Sequence, residues 1–487
     1  SRAFWAVASL SLLAAGLRFA TLGVQSYHHD EIVTAFRVLR SSFGHAMNAV
    51  SYSESAPPLY YVVAWLWAQF AGTGEFGLRS LSALAGVATV PVAFLIGRQL
   101  RGRRAGIAAA ALVAVNPMLL WYSQEARGYA LFTLLTAISV LYFIRSLDRG
   151  RRSDFIGWGI ASALALATHY FAFFPIVVEA LWLLRRRGRA TAAGLAIIVL
   201  SGLALAPLMF HQTSIGHAEW IGEHALGHRL WETAATFMVG EIGEIIARPE
   251  TPLPALLPFL LVIVALFLIL RRGRAEERRR AAVPLILAGA TVAIPVILAL
   301  LVPGEDYVLA RNLMPALVPL LVAAGIGVTL QKARVRGAVV GGALFVYSLG
   351  FCLLVSLSPA LQRPDWGAVA ATLGETSAPR AIVTWALGQA PLHHYLSSDS
   401  VQAFSREGFP WYVHEVDFIS NGPAAPVPAR LLGPGFHEVA YGPVGRLYLR
   451  RYALPGPDLM RLRLRSVCEA DLGFRNNGVL VDGIGPG

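Results

Sequence analysis

The sequence predicts an all-α polytopic membrane protein of about 11 transmembrane helices with a small C-terminal α/β domain outside the membrane. Three observations predict it. The 487 residues are 56% hydrophobic and only 14% charged, with mean hydropathy +0.57, where a soluble domain runs about 45–50% apolar and roughly 25% charged. The apolar residues fall in runs long enough to cross a bilayer, about 20 residues each. The loops between the runs alternate in charge. This composition excludes a soluble globular enzyme, a disordered chain, a collagen and a coiled coil.

The runs lie at 3–22, 78–98, 105–121, 129–145, 155–168, 170–184, 190–209, 253–270, 281–302, 311–329 and 337–357. The first is too continuous with the residues after it to be a cleaved signal peptide. The fifth and sixth are short and meet at His169–Tyr170, which reads as a bent pair. Residues 57–71, PPLYYVVAWLWAQFA, open on two prolines. They read as a helix lying in the outer interface, where Tyr60, Tyr61, Trp65 and Trp67 are at home. Counting them as a span would flip the topology of every later segment.

Charge sets the orientation. Basic clusters stand at 98–104, 145–152, 185–189, 271–280 and 332–336, carrying 21 Arg and Lys in all. The alternate loops, 23–77, 122–128, 210–252 and 303–310, hold thirteen acids. The positive-inside rule puts the basic side in the cytoplasm. The net charge of +12 is therefore a signature of membrane orientation, and no nucleic-acid partner is expected. All basic residues but Lys332 are Arg, a skew expected of a high-GC bacterial coding bias. The expected location is a bacterial inner membrane, crossed many times. Two cysteines, Cys352 and Cys468, are too few for a disulfide framework or a zinc cluster.

The chain divides into a membrane domain, 1–358, with a first outer loop at 23–77, and a domain at 359–487 of ordinary polarity. Within the latter, PDWGAVAATLGE reads as a helix and AIVTWA, RLYLRRYAL and NGVLVDG as strands. With eleven spans and the N-terminus inside, this domain lies outside, docking an acceptor or capping the outer face.

The chemistry is expected at the outer rim. Tyr27, His28, His29, Asp30 and Glu31 come directly after the first span. Adjacent carboxylates raise one another's pKa, and a carboxylate held there would accept a proton from a hydroxyl. Asp30 would equally serve as the N-cap of a helix beginning EIVTAFRVLRS. His28, His29 and Asp30 are ligand types for a divalent metal, but consecutive residues do not readily converge on one ion. No metal and no other cofactor is expected.

Further pieces come in order along the chain: SAPPLYY (55–61), GLRSLSALAGVATVPVAFLIGRQLRG (77–102), YSQEARGYALF (122–132), THYFAFFP (168–175), YVLARNLMPALVPLL (307–321) and RPDWGAVA (363–370). Together with the Asp-Glu pair, this set resembles the GT-C superfamily of membrane glycosyltransferases, and within it the protein O-mannosyltransferases and lipid A aminoarabinose transferases. The resemblance implies a GT-C fold. It also implies an inverting transfer of a monosaccharide from a polyprenyl-phosphate carrier to an acceptor hydroxyl on a glycan, lipid or protein at the outer face. Asp30, with Glu31 beside it, matches the family's first-loop acid and would be the base. Glu125 matches the position of a second acid in the family and would orient donor or acceptor groups.

A lipid-phosphate leaving group needs a cation, and Arg suits it because its planar fork stays charged. Arg311, with Asn312 and Tyr307, opens a span on the outer side, and Arg127 stands two residues after Glu125. Either arginine would also serve a local pair, Arg311 with Asp306 and Arg127 with Glu125. His169, His29 and Tyr61 complete the expected substrate contacts, with a packed structural role as the alternative for His169. Arg79 is expected to tie the second span to the first loop, Arg18 to snorkel, and Glu179 to be protonated or to face the bundle interior. The 210–252 loop, with His211, His217, Glu219, Trp220, Glu223, His224, His228 and Trp231, reads as a solvated interfacial helix or a sugar-binding loop. The alternatives are a polymerase or ligase using lipid-diphosphate donors, which acidic outer loops suit poorly, and a lipid or sugar transporter, which calls for polar residues at mid-span.

Overall fold

The computed structural model describes residues 2–39, 42–185, 188–216, 221–222, 224–242, 252–302, 304, 306–376, 378–396, 402–404, 411–462, 464–473 and 476–482. Arg186, Arg187, His217, Glu219, Trp220, Glu223, Glu244, Glu250 and Glu305 lie outside the described residues. The chain forms two compact units. One comprises Ser1–Leu22 and Thr34–Leu354, the other Gly23–Val33 and Val355–Gly487. The second unit thus takes a piece of the first loop, the Tyr-His-His-Asp-Glu stretch, which composition alone assigns to the membrane domain.

The first unit is a helical bundle. Among the described residues, eight helices are long and apolar enough to cross a membrane: Arg2–Phe19, Glu75–Arg101, Tyr129–Arg149, Arg189–Ser214, Leu253–Arg272, Ala275–Leu301, Ala310–Val328 and Gln331–Leu357. A ninth span is the broken pair Arg103–Ala114 and Pro117–Ser123, bent by 58°. The break falls at Val115–Asn116, where Pro117 cannot continue the backbone ladder and Asn116 caps the next helix through a bond from the Leu119 amide. The remaining two expected spans are shorter helices, Arg152–Thr168 and Tyr170–Leu184, separated at His169. Leu59–Ala71 has only 13 residues, about 20 Å of helix against a hydrocarbon core of about 30 Å. It does not cross. Tyr60 and Tyr61 on it are buried, and Trp67 donates its indole N–H to Gly77 O at 3.1 Å.

Small residues let the helices approach closely, as expected where lipid removes the hydrophobic drive between them. A Cβ on Gly159 would stand 2.7 Å from Gly194 O, and one on Gly327 would stand 2.0 Å from Ala265 O. Four of the basic loops gather at one end: Arg101 donates to Glu277 at 3.1 Å and to Thr329 O at 3.1 Å, and Arg280 and Gln99 both donate to Asp148. Arg18 does not snorkel. It is fully buried, donating to Ser123 Oγ at 3.1 Å and Ala114 O at 3.0 Å, because the break beside Pro117 leaves carbonyls that need a donor. Glu179 faces the bundle interior, accepting from Ser139 and from the Trp158 indole, each at 2.7 Å.

The second unit is built on a six-stranded sheet. Its strands are β1 (Arg380–Trp385), β2 (Gln402–Phe404), β4 (Glu415–Ser420), β5 (His437–Val444), β6 (Leu447–Ala453) and β8 (Asn477–Asp482), in the order β2-β8-β1-β4-β6-β5. A separate ribbon pairs β3 (Trp411–Val413) with β7 (Met460–Leu462). The pairing is antiparallel except between β1 and β4. Both faces of β1 are covered, Ala381 and Val383 packing into one core and Ile382 into the other, which is why AIVTWA reads as an unbroken apolar run. The expected helix is Trp366–Leu373, capped by Asp365.

Candidate active site

The non-basic end of the helical bundle holds most of its polar chemistry. The turn after the broken pair carries Glu125 and Arg127, and it is pinned from the first helix. Gln124 donates to Thr21 Oγ1 at 2.8 Å and to Arg18 O at 3.1 Å, while Arg18 holds Ser123. Glu125 is buried on this turn.

Arg127 reaches partners far from it in sequence. Its guanidinium donates to Glu54 Oε2 at 2.7 Å and to Thr34 Oγ1 at 3.2 Å. Glu54 ends the helix Phe43–Ser53, and the Tyr61 hydroxyl bonds to it. Arg311 sits in the short turn Ala310–Ala316 that leads into a span. Its expected local partner, Asp306, is instead taken in a bidentate pair by Arg229, 2.6 Å on one arm. That bond holds the Asp306 carboxyl below its ordinary pKa. The charge of Arg311 acts on the Tyr122 hydroxyl together with those of Glu241 and Glu125, and Tyr122 donates to Glu241.

Both arginines also act on His169. This residue caps the short turn after the Arg152–Thr168 helix, its Nδ1 accepting from the Phe171 amide at 3.4 Å. Its ring stacks on Phe132 at 4.6 Å and lies 5.7 Å from Tyr129. Burial first, then Arg311 and Arg127, push the imidazole down to about 3, so it is neutral at physiological pH. His169 is thus packed among aromatic rings and bonded to the backbone. Tyr307 meets Phe171 edge-on at 5.8 Å, and Asn312 is spent on the backbone, donating to Tyr307 O at 2.9 Å. Arg79 donates to Leu22 O at 3.0 Å, the tie expected of it.

The structure therefore gathers Tyr61, Glu125, Arg127, His169 and Arg311 with Tyr122 and Tyr129 at one end of the bundle. Glu54, Glu241 and Arg229 are the residues that sequence reasoning missed as partners. Their one signal was position, as isolated charges in loops on the acidic side.

Asp30, Glu31 and His29 belong to the second unit. His28, not Asp30, is the N-cap of the helix His29–Ile32. Its Nδ1 accepts from the Glu31 amide at 3.3 Å, and Glu31 Oε2 accepts from the His28 amide at 3.3 Å. This reciprocal cap occupies the fully buried Glu31, whereas Asp30 on the first turn is partly exposed. Among the described residues, no three His, Cys, Asp or Glu side chains are grouped as a metal site.

Residues 55–212 match the family model of the dolichyl-phosphate-mannose-protein mannosyltransferases. No curated protein matches the chain in sequence. In fold, the chain is similar to ArnT from Cupriavidus metallidurans. The apo form superposes with a TM-score of 0.57 at 14% identity, covering 93% of this chain and 98% of that one. The form bound to undecaprenyl phosphate superposes with a TM-score of 0.55, again at 14% identity and over the same shares of the two chains. In architecture, a bundle of long apolar helices with a C-terminal sheet unit, the chain resembles ArnT, and its segment 55–212 resembles the mannosyltransferases of the family model.

Proposed function

We propose that this protein is an inverting glycosyltransferase that moves a monosaccharide from a polyprenyl-phosphate carrier to an acceptor hydroxyl on the outer face of a bacterial inner membrane. One observation carries the reading. Arg127 and Arg311 lie near enough to one buried histidine, His169, to join burial in holding it neutral, at the bundle end opposite the basic loops. Two arginines in a low-dielectric setting suit a phosphate, and the 55–212 match spans Glu125, Arg127 and His169. The solved structure of ArnT with undecaprenyl phosphate favours the same class of carrier. The basic end lies in the cytoplasm by the positive-inside rule.

In the proposed reaction the acceptor oxygen attacks the anomeric carbon on the face opposite the lipid phosphate. The new C–O bond forms as the sugar–phosphate bond breaks, with inversion and oxocarbenium character at carbon. Asp30 takes the acceptor proton, and Glu31 holds its helix through the cap. The phosphate leaves with its electron pair, its charge balanced by Arg311 and supported by Arg127. Within the helical unit, Glu125, Tyr61 and His169 orient sugar and acceptor groups, and Tyr307 and Asn312 shape the approach to Arg311. No metal takes part.

The test is transfer in proteoliposomes from a panel of radiolabelled polyprenyl-phosphate sugars, with membrane extract as acceptor. Asp30→Asn is expected to abolish transfer while the protein stays folded, and Arg311→Ala to raise the KM for donor. Undiminished transfer by Asp30→Asn would reject the base assignment. Lipid translocation without glycosidic product would replace the reading with a transporter.

A further inference from the structure

The segment that carries Asp30 is built into the C-terminal unit by bonds from its own backbone and side chains. The Tyr27 amide donates to the Tyr395 hydroxyl at 2.7 Å, across 368 residues of chain. One residue earlier, the Ser26 hydroxyl accepts from the Trp366 amide at 2.7 Å and donates to Pro364 O at 3.3 Å. Tyr27 and Trp366 are buried almost completely. Tyr395 ends the helix Gln389–Tyr395 and packs on the core formed by Trp366, Leu392 and Leu480. Gly388, just before that helix, lies so close to Trp366 that a Cβ would stand 2.3 Å from the indole. The sheet, the Trp366 helix and the Tyr395 helix are thus one packed body, and residues 23–33 are part of it.

We infer that Tyr395 is a positioning residue for the Asp30 helix, and that the C-terminal unit acts as the holder of that helix. The inference rests on the reading of Asp30 as the base. The physical argument is local. The two residues directly before the His28 cap, Ser26 and Tyr27, are tied down, so the helix His29–Ile32 starts from a fixed point. A base must hold its carboxylate within hydrogen-bond reach of the proton that it removes, and a misplacement of about 1 Å can cost about a hundredfold in rate. The helix runs on directly into the π-helical turn Val33–Val38, and its entry is the end that the bonds of Ser26 and Tyr27 hold.

The experiment uses the full chain in nanodiscs. Tyr395→Phe keeps the ring and removes the acceptor. Amide exchange in residues 23–33 is expected to quicken about three- to tenfold, the weight of one net hydrogen bond, with strands β1 and β6 unchanged. In transfer assays kcat is expected to fall at least threefold with the donor KM unchanged, a split that general destabilisation would not give. Should Tyr395→Phe fail to fold, Ser26→Ala serves instead, since it removes the Trp366 amide's acceptor from the opposite side of the clasp. Unchanged exchange in 23–33, or an effect on donor KM alone, overturns the inference. Asp30→Asn is run in parallel. If that variant retains transfer the base reading fails, while the exchange result still decides whether the C-terminal unit holds this segment.

Discussion

The pair between Glu54 and Arg127 gives a sharp test of the membrane-end cluster. Glu54→Gln keeps side-chain shape but removes the charge that Arg127 faces at 2.7 Å. The Glu54 side chain is 3% exposed and that of Arg127 13%, so water reaches neither freely. Breaking a buried pair by deleting one partner costs about 3–5 kcal/mol, because the other charge stays desolvated. The Thr34 hydroxyl also accepts from Arg127, and the slight exposure of the guanidinium relieves some of the penalty. The expected loss is therefore about 2–4 kcal/mol. Removing both charges together, as Glu54→Gln with Arg127→Met, should cost less than the two single losses added, since no orphan charge is left. Unfolding by denaturing detergent in mixed micelles reads both quantities. A single-variant loss below about 1 kcal/mol, the range of a surface pair, would refute the view that this end of the bundle is a low-dielectric site. Strict additivity in the cycle would refute the coupling.

His169 supplies a pH test. Its folded pKa, near 3, lies below the ordinary 6.5, so the unfolded chain takes up the proton first. Stability from this group is complete above about 6.5 and falls as the pH drops toward 3; His169→Gln should flatten the fall of melting temperature between pH 6.5 and 4.5, and an equal slope in both proteins would contradict it. Gly388→Ala forces a methyl onto the Trp366 indole and should cost about 1–3 kcal/mol through overpacking, measured as unfolding of the C-terminal unit by near-ultraviolet circular dichroism; a neutral outcome would mean that the contact relaxes freely. Asp306→Asn removes the charge that Arg229 grips in two hydrogen bonds, and it should lower thermal stability more than Asp148→Asn, whose partner Arg280 is far more exposed. The reverse ranking in a thermal-shift measurement would sink that argument.

Much of the fold is legible in the sequence because its signals are local. All eleven apolar runs are helices, and the fold class is as the sequence predicts. The departures have physical causes. The helix breaks at His169, whose backbone is extended, and a 58° bend falls at Val115–Asn116, just before a proline inside an apolar run. Strand β4, EVDFIS, is hard to see in the sequence because its neighbours bury both of its faces, so no clear alternation remains. Of the candidate site, the residue types and the membrane end are readable from charge. The pairings are not. Arg127 and Arg311 each stand within two to five residues of an acid, yet Arg127 bonds Glu54 and Asp306 is gripped by Arg229, both far away in sequence.

Membrane class, helix extent and the segregation of charge to two ends are written in the order of residues alone, because apolar transfer free energy adds up over a short window of chain. Partnership came from packing: Arg127 with Glu54, 73 residues away, Arg229 with Asp306, 77 away, and Tyr27 with Tyr395, 368 away. A buried donor must meet whichever acceptor the folded chain brings within about 3 Å, and that choice leaves no periodic trace along the sequence.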